Sequence, residues 1–275
     1  MLNFSILLSL YYKESSQNLD SCFQSIWTQQ TIKPNEIILV VDGQVGSDLT
    51  KIINDWQYKL GEVLKIIQLE TNVGLGRALN EGLKYCTNDW VFRMDTDDIA
   101  LPARFEKQID FIIKNPSVVL LGGQIIEFEF SVDEPSSNRL VPVGHHEIVK
   151  FSRFRCPFNH MTVAFRKEIV VKEGAYQHHL FMEDYNLWLR LIAAGHSVAN
   201  LNDVLVFARV GNGMHARRKG LEYIKSEKQL LDLKKQLKIQ NSLMANLLFL
   251  FRASLRLLPT SLLKGFYNQF LRKKV

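Results

Sequence analysis

Four apolar runs of strand length constrain this chain most: Phe4 to Leu10, the run from Glu36 that ends at Asp42 and Gly43, Val63 to Leu69, and a run that begins at Trp90. Between the first two, Leu19, Cys22, Phe23 and Ile26 recur at three and four residues, as a helix with one buried face requires. Further helices are expected near Leu49 to Lys59 and from about Leu75 to Cys86. Strand and helix in alternation, with strands that are continuously apolar, is the pattern of a parallel sheet covered on both faces. Ligands bind such a sheet beyond the carboxyl ends of its strands. Asp42, the segment Asn72 to Arg77, and Asp95 to Asp98 all fall at those ends.

The fourth run closes on three carboxylates in four positions, Asp95, Asp97 and Asp98. At neutral pH they repel one another, and a hard divalent cation with oxygen ligands, Mg²⁺ or Mn²⁺, makes such a cluster favourable. Capping of the helix that follows, up to Lys114, is the alternative for Asp97 or Asp98. In Asn72 to Asn80, Gly74 and Gly76 follow a strand and open a helix, but position 79 is leucine and the strand is the third. A dinucleotide fingerprint is therefore not met. Arg77, on the first helical turn, instead offers a fork of donors to a phosphate or carboxylate, or stands as an unpaired surface residue.

Downstream, Asn115 and Pro116 end the helix before strands at Val118 to Gly122 and Ile125 to Phe130. Asp133 to Gly144, with two prolines and two serines, reads as a loop. His160 precedes a strand at Thr162 to Phe165. Glu183 and Asp184 begin a helix whose buried face is Leu187, Trp188, Leu191 and Ile192. Those two acids either cap the helix or, half-buried among aromatics, supply a general base.

The net charge of +6 is unevenly spread. Residues 1–214 carry 20 Lys and Arg against 25 Asp and Glu, a net of −5, whereas residues 215–275 carry 14 against 3, a net of +11. This divides the chain into a catalytic domain, 1–214, and a basic amphipathic helical tail, 215–275. The asymmetry points the tail at an anionic surface. Leu243, Leu247, Leu250, Phe251, Leu255 and Leu258 recur at helical spacing with Arg252 and Arg256 beside them. Leu262, Leu263, Phe266, Tyr267 and Phe270 repeat the pattern after Pro259. Apolar helices edged with basic residues suit an anionic leaflet; packing on the catalytic domain or on a second subunit is the alternative. No run approaches the roughly 20 apolar residues that span a bilayer. The start of the chain lacks a basic leader and a small-residue cleavage site, so a cytoplasmic location is expected. Three widely spaced cysteines, Cys22, Cys86 and Cys156, suit free thiols.

Taken in order and spacing, these motifs strongly resemble bacterial family 2 glycosyltransferases of the GT-A fold, the kind that build O-antigen or capsule repeat units. They are the first strand with the loop Ser9 to Glu14, the strand ending at Asp42, Asn72 to Asn80, the DxDD at Asp95 to Asp98, the segment from His160, and Glu183-Asp184. The resemblance covers about residues 3–214. It implies that Ser9, Tyr11, Glu14 and Asp42 line a base and ribose pocket, with Arg77 and Asp95 near the nucleotide. It makes Asp97 the foremost metal ligand beside Asp95, with His215 as a third ligand, and Asp184 the catalytic base. His160, Glu183 and Trp188 fall on the acceptor side. Many members carry two consecutive aspartates and a serine where this chain has Asp42-Gly43-Gln44, so the base contact rests on Asp42. The implied activity is inverting transfer from a nucleotide-diphosphate sugar, a UDP-sugar foremost, to a polyprenyl-linked or oligosaccharide acceptor, at the inner face of the plasma membrane.

Two rivals remain at this stage. A nucleotidyltransferase needs a glycine- and lysine-rich phosphate loop near the N-terminus, and Ser9 to Glu14 is not one. A basic membrane-surface or nucleic-acid binding module accounts for the tail but leaves both acidic motifs unexplained, and no nucleic-acid partner is expected.

Overall fold

The structure is a computed structural model that describes residues 2–211 and 220–256. Its centre is a parallel sheet of β3 (Leu64–Gln68), β2 (Glu36–Val41), β1 (Phe4–Leu10) and β4 (Trp90–Arg93), in that spatial order. β1 pairs with β2 from Ser5 opposite Glu36 to Leu10 opposite Val41, so both strands end on the same edge. All six residues of β2 are buried. The alternation of side chains along a strand divides them between two cores. Ile37, Leu39 and Val41 face one, with α1 (Ser16–Phe23) and α2 (Ser47–Leu60); Ile38 and Val40 face the other, with α3 (Leu75–Tyr85).

Beyond β4 the sheet becomes mixed. β8 (Ala164–Arg166) lies antiparallel between β4 and β6 (Val118–Phe128), β6 runs parallel to β9 (Ser197–Arg209), and the two-residue β5 (Ile99–Ala100) closes that edge. The expected α/β architecture is therefore present, parallel in its first half. α4 (Arg104–Lys114), α5 (His145–Ser152), α6 (Lys167–Lys172) and α7 (Glu183–Ala193) complete this part.

Three local expectations are corrected. The first helix ends in a π-helical turn, Gln24–Thr28. The two strands expected between Val118 and Phe130 are one, β6, with shifts of register against β9. The segment expected as a loop contains strand β7 (Pro135–Arg139), which pairs with β6. Its residues are serines, asparagine and arginine, which give no apolar signal. Their side chains do the binding instead, with Ser136 donating to the Glu127 carbonyl at 2.9 Å and Ser137 to the Glu127 carboxylate at 2.5 Å.

The C-terminal region packs on the α/β part. α8 (Gly220–Gln236) lies against α7 through Met182, Tyr185, Leu189, Tyr223 and Leu230. α9 (Ser242–Arg256) lies on α8, and its Arg252 and Arg256 converge on the buried Glu227 at 2.6 and 2.8 Å. These two arginines were expected to face an anionic surface; they are committed to an internal ion cluster. Leu243, Leu247, Leu250 and Phe251 remain exposed on α9. No helix among the described residues is long and apolar enough to cross a membrane. His215 and the segment Leu258 to Phe270 lie outside the described residues.

Candidate functional site

Where β1, β2 and β4 end together, a cleft of about 850 Å³ opens. Ser9, Tyr11, Glu14, Asp42, Asp95 and Asp97 line it, joined by Lys13, Asn18, Asn72, Thr96, Glu129, Phe130 and Arg209. The parallel register brings these residues together, because adjacent strands that run the same way deliver their following loops to one edge.

Two carboxylates on the rim hold loops. Glu14 accepts from the Ser15 amide at 2.8 Å and the Asn18 side chain at 3.0 Å through one oxygen, and from the Thr96 hydroxyl at 3.2 Å through the other. It thereby ties the loop after β1 to the acidic segment. Asp42, 2% exposed, accepts from the amides of Val73 at 2.7 Å and Gly74 at 3.0 Å, just before α3. Gly74 takes φ +87°, open to glycine and costly for other residues. Asp42 thus reaches the cleft with both oxygens already accepting.

The acidic cluster carries the strongest electrostatic tension in the cleft. One ligand atom each from Asp95, Asp97 and Asp98 lies within 4.8 Å of the others. Asp95 pairs with Arg93, a guanidinium wholly buried at the end of β4. Burial, then the charges of Asp95 and Glu14, push the Asp97 carboxyl up to about 7. Asp98 is pushed well above the usual carboxylate range by burial and by its two neighbours. One of its oxygens accepts from the Arg209 amide at 2.7 Å, and the other is buried with no partner. Three crowded carboxylates, one with an orphaned oxygen, are the donor set that a hard divalent cation fits.

Of the residues expected on the acceptor side, Glu183 lines a different cleft, whereas His160 and Trp188 line neither. A smaller cleft of about 260 Å³, meeting the large one at Gly74, is lined by Val73, Gly76, Arg77, Tyr176, Gln177, His178 and Glu183. Arg77 therefore lines this cleft and not the large one. Gly76 permits the contact of α3 with α7, since a Cβ there meets the Glu183 Cγ at 3.2 Å and the Tyr176 Cβ at 3.4 Å. The His160 ring nitrogen lies 2.9 Å from the Tyr176 hydroxyl, and burial, then Arg93, hold this histidine well below its ordinary pKa. It is neutral at physiological pH.

Asp184 is half-buried and lines neither cleft. Burial raises its pKa, and the Cys156 thiol donates to it at 3.7 Å. Burial likewise raises Glu183. Trp188, expected on the acceptor side, is fully buried in the core with its ring against Phe158 and His160; the helical face that buries Leu187 and Leu191 takes it inside too.

Several residues were missed from sequence. Arg93 had a signal, a guanidinium ending an apolar strand beside three acids. Tyr176, Cys156 and Arg209 had none, since each comes from a distant segment. Nor was the bracing by α8 of the segment before Glu183 legible: the His179 ring contacts the Ser226 carbonyl at 3.0 Å, Gln229 accepts from the Leu180 amide at 3.1 Å, and Phe181 stacks on Tyr223.

The chain is similar to known proteins in sequence and in fold. Residues 5–176 match the family model described as "Glycosyl transferase family 2". A Haemophilus influenzae protein named "Uncharacterized glycosyltransferase" is 50% identical, over 99% of this chain and 100% of its own length. The Erwinia amylovora "Amylovoran biosynthesis glycosyltransferase AmsE" is 48% identical, over 97% and 98%. The Escherichia coli "UDP-Gal:alpha-D-GlcNAc-diphosphoundecaprenol beta-1,3-galactosyltransferase" is 40% identical, over 82% and 80%. Among solved structures, S. aureus TarS 1-349 in complex with UDP-GlcNAc shares the fold at TM-score 0.69 and 17% identity, over 98% of this chain and 76% of that one. The mannosyltransferase PcManGT from Pyrobaculum calidifontis, in complex with GDP-Man and Mn²⁺, does so at 0.62 and 15%, over 96% and 78%.

Proposed function

From the premise that this chain belongs to glycosyl transferase family 2 and has the GT-A fold, we propose that it moves a sugar, with inversion, from a UDP-sugar to a hydroxyl of a lipid-linked glycan in surface polysaccharide assembly. The observation that carries this reading is the acidic cluster on the large cleft, three carboxylates with only Arg93 ion-paired to them among the described residues, where the sheet fold binds its ligand. Names of relatives support the finer terms: one is an amylovoran biosynthesis enzyme, and another is named for UDP-Gal and a diphosphoundecaprenol acceptor.

Asp97 and Asp95 would hold Mn²⁺ or Mg²⁺, with the free oxygen of Asp98 beside them. When bound, the cation neutralises charge on the departing diphosphate. The protein's own groups do the rest. Ser9, Tyr11, Glu14 and Asp42 frame the nucleoside end of the cleft, and Glu14 and Asp42 keep that frame rigid through the loops they tie. Asp184 takes the proton of the acceptor hydroxyl, and burial makes it a stronger base than a solvated aspartate. The acceptor oxygen bonds to the anomeric carbon as the bond from that carbon to the donor phosphate oxygen breaks, and the nucleoside diphosphate departs. A single displacement inverts the anomeric configuration.

The exposed apolar face of α9 is the part of the tail suited to a membrane surface. Removing α9 is a poor test, because it strips Glu227 of its arginines; replacing Leu247 and Leu250 by glutamate leaves that cluster intact. The double variant should lose co-sedimentation with phosphatidylglycerol vesicles, and unchanged co-sedimentation counts against attachment through α9. The transfer reading is tested by thermal stability with UDP, GDP, CDP and TDP, each with and without Mn²⁺. UDP at 100 times its dissociation constant should add about 2.7 kcal/mol. A folded protein that responds to none of the four sinks the reading.

A further inference from the structure

We propose that the smaller cleft is a subsite for an anion carried by the acceptor, a phosphate or diphosphate ester of its sugar, and that Arg77 is the residue that binds it. The inference rests on the transferase reading and names one chemical feature of its second substrate.

Arg77 is the starting point. It stands exposed on the first turn of α3 and makes no hydrogen bond or ion pair with any described residue. Its planar fork of donors matches a phosphate better than a lone lysine does. The donor's diphosphate is not its partner, because Arg77 lines only the smaller cleft while the acidic cluster belongs to the larger. The other donors on the smaller cleft, the His178 ring and the Gln177 amide, are exposed and free to turn towards the same ligand. The amino end of α3 adds positive potential.

The acceptor's own chemistry explains why an anion belongs there. Glu183, on the wall of this cleft, is the chain neighbour of Asp184. A sugar that offers a hydroxyl to Asp184 spans one ring between that hydroxyl and its own anomeric oxygen. In an acceptor whose sugar is joined directly to diphosphate, as named for the Escherichia coli relative, the first phosphate follows that oxygen. Such an acceptor calls for a cation on the same cleft as the residues beside the base, and Arg77 shares this cleft with Glu183; an oligosaccharide acceptor with its phosphate several sugars away does not call for it. Gly76 makes the arrangement possible by letting Glu183 and Tyr176 sit directly on the turn that carries Arg77.

The test uses the full chain in EDTA, with inorganic pyrophosphate as the calorimetric probe, alongside UDP binding in Mn²⁺. Arg77→Gln should weaken pyrophosphate at least tenfold and leave UDP affinity within twofold, and Arg77→Lys should recover part of the loss. An alkyl diphospho-N-acetylglucosamine should compete with pyrophosphate, whereas the matched alkyl glycoside without diphosphate should not. Absence of pyrophosphate binding to the wild type, equal affinity in Arg77→Gln, or equal competition by both glycosides overturns the proposal. A parallel loss of UDP affinity overturns it too, by returning Arg77 to the donor. Failure of the transferase reading looks different: the wild type then binds no nucleoside diphosphate, whatever Arg77 does.

Discussion

Glu227, buried, and the cluster of Asp95, Asp97 and Asp98, of which only Asp98 is fully buried, are both acid sites, and the chain treats them in opposite ways. At Glu227 burial pushes the pKa up, but Arg252 and Arg256 outweigh it and hold the carboxyl below its ordinary value. At Asp97 and Asp98 burial and mutual repulsion prevail, and both are raised. Arg93 pairs with Asp95 alone. A structural acid is compensated within the fold, whereas the cluster on the cleft leaves its charge for something that binds. Perturbed titration in a cleft points to function for this reason, and the same perturbation with its own counter-ions does not. Asp184, half-buried, is a third acid raised by burial, and both the Tyr185 backbone amide and the Cys156 thiol donate to it.

That comparison yields predictions in order of size. Asp184→Asn should cost roughly ten-thousandfold in turnover, the upper range for a lost general base, while nucleotide affinity stays within threefold; a parallel loss of nucleotide binding would move Asp184 into the donor site. Asp97→Ala should slow transfer roughly a thousandfold, about 4 kcal/mol, and abolish the Mn²⁺-dependent part of UDP stabilisation. Persistence of that part in a thermal melt breaks the assignment of the cluster to a cation. Glu227→Ala removes the carboxylate that Arg252 and Arg256 share and should cost about 3 kcal/mol in denaturant unfolding, yet the Mn²⁺ response of the remaining folded protein should be unaltered.

The smallest effect is on pH dependence. The folded-state pKa of Asp97, about 7, lies above the unfolded value of 3.8. The folded state therefore binds the extra proton between these values, and stability of the metal-free protein falls as pH rises from about 4 to about 7. Mn²⁺ should flatten that slope, and Asp97→Asn should remove its Asp97 share. A melting temperature that rises over this window in EDTA, for a reason traced to Asp97, contradicts the comparison.

Much of the catalytic part was legible because its signals are local. Phe4 to Leu10 became β1 at the expected boundaries, and the strand expected from Glu36 to Asp42 and Gly43 became β2, which ends at Val41. The parallel order then carried Ser9, Tyr11, Glu14, Asp42, Asp95 and Asp97 to one cleft. β7 was missed because a polar edge strand has no hydrophobic period to read. Trp188 and Arg252 were given outward roles because a residue's side of a helix depends on the partner it meets. Here those partners are Phe158 and Glu227, far along the chain.

The sequence by itself determined the alternation of strands and helices up to Trp90, the parallel half of the sheet and the place of the acidic cluster at a strand end. Apolar periodicity and local charge are properties of short windows, and burial of continuous strands leaves few arrangements. Tertiary structure alone decided which buried charges are compensated, where Arg77 stands relative to the large cleft, and that α8 braces the segment leading to Asp184. These outcomes depend on contacts such as Glu36 with Thr87, His179 with Ser226 and Glu227 with Arg252. Such pairings are chosen by which faces pack, and no local pattern of residues encodes that choice.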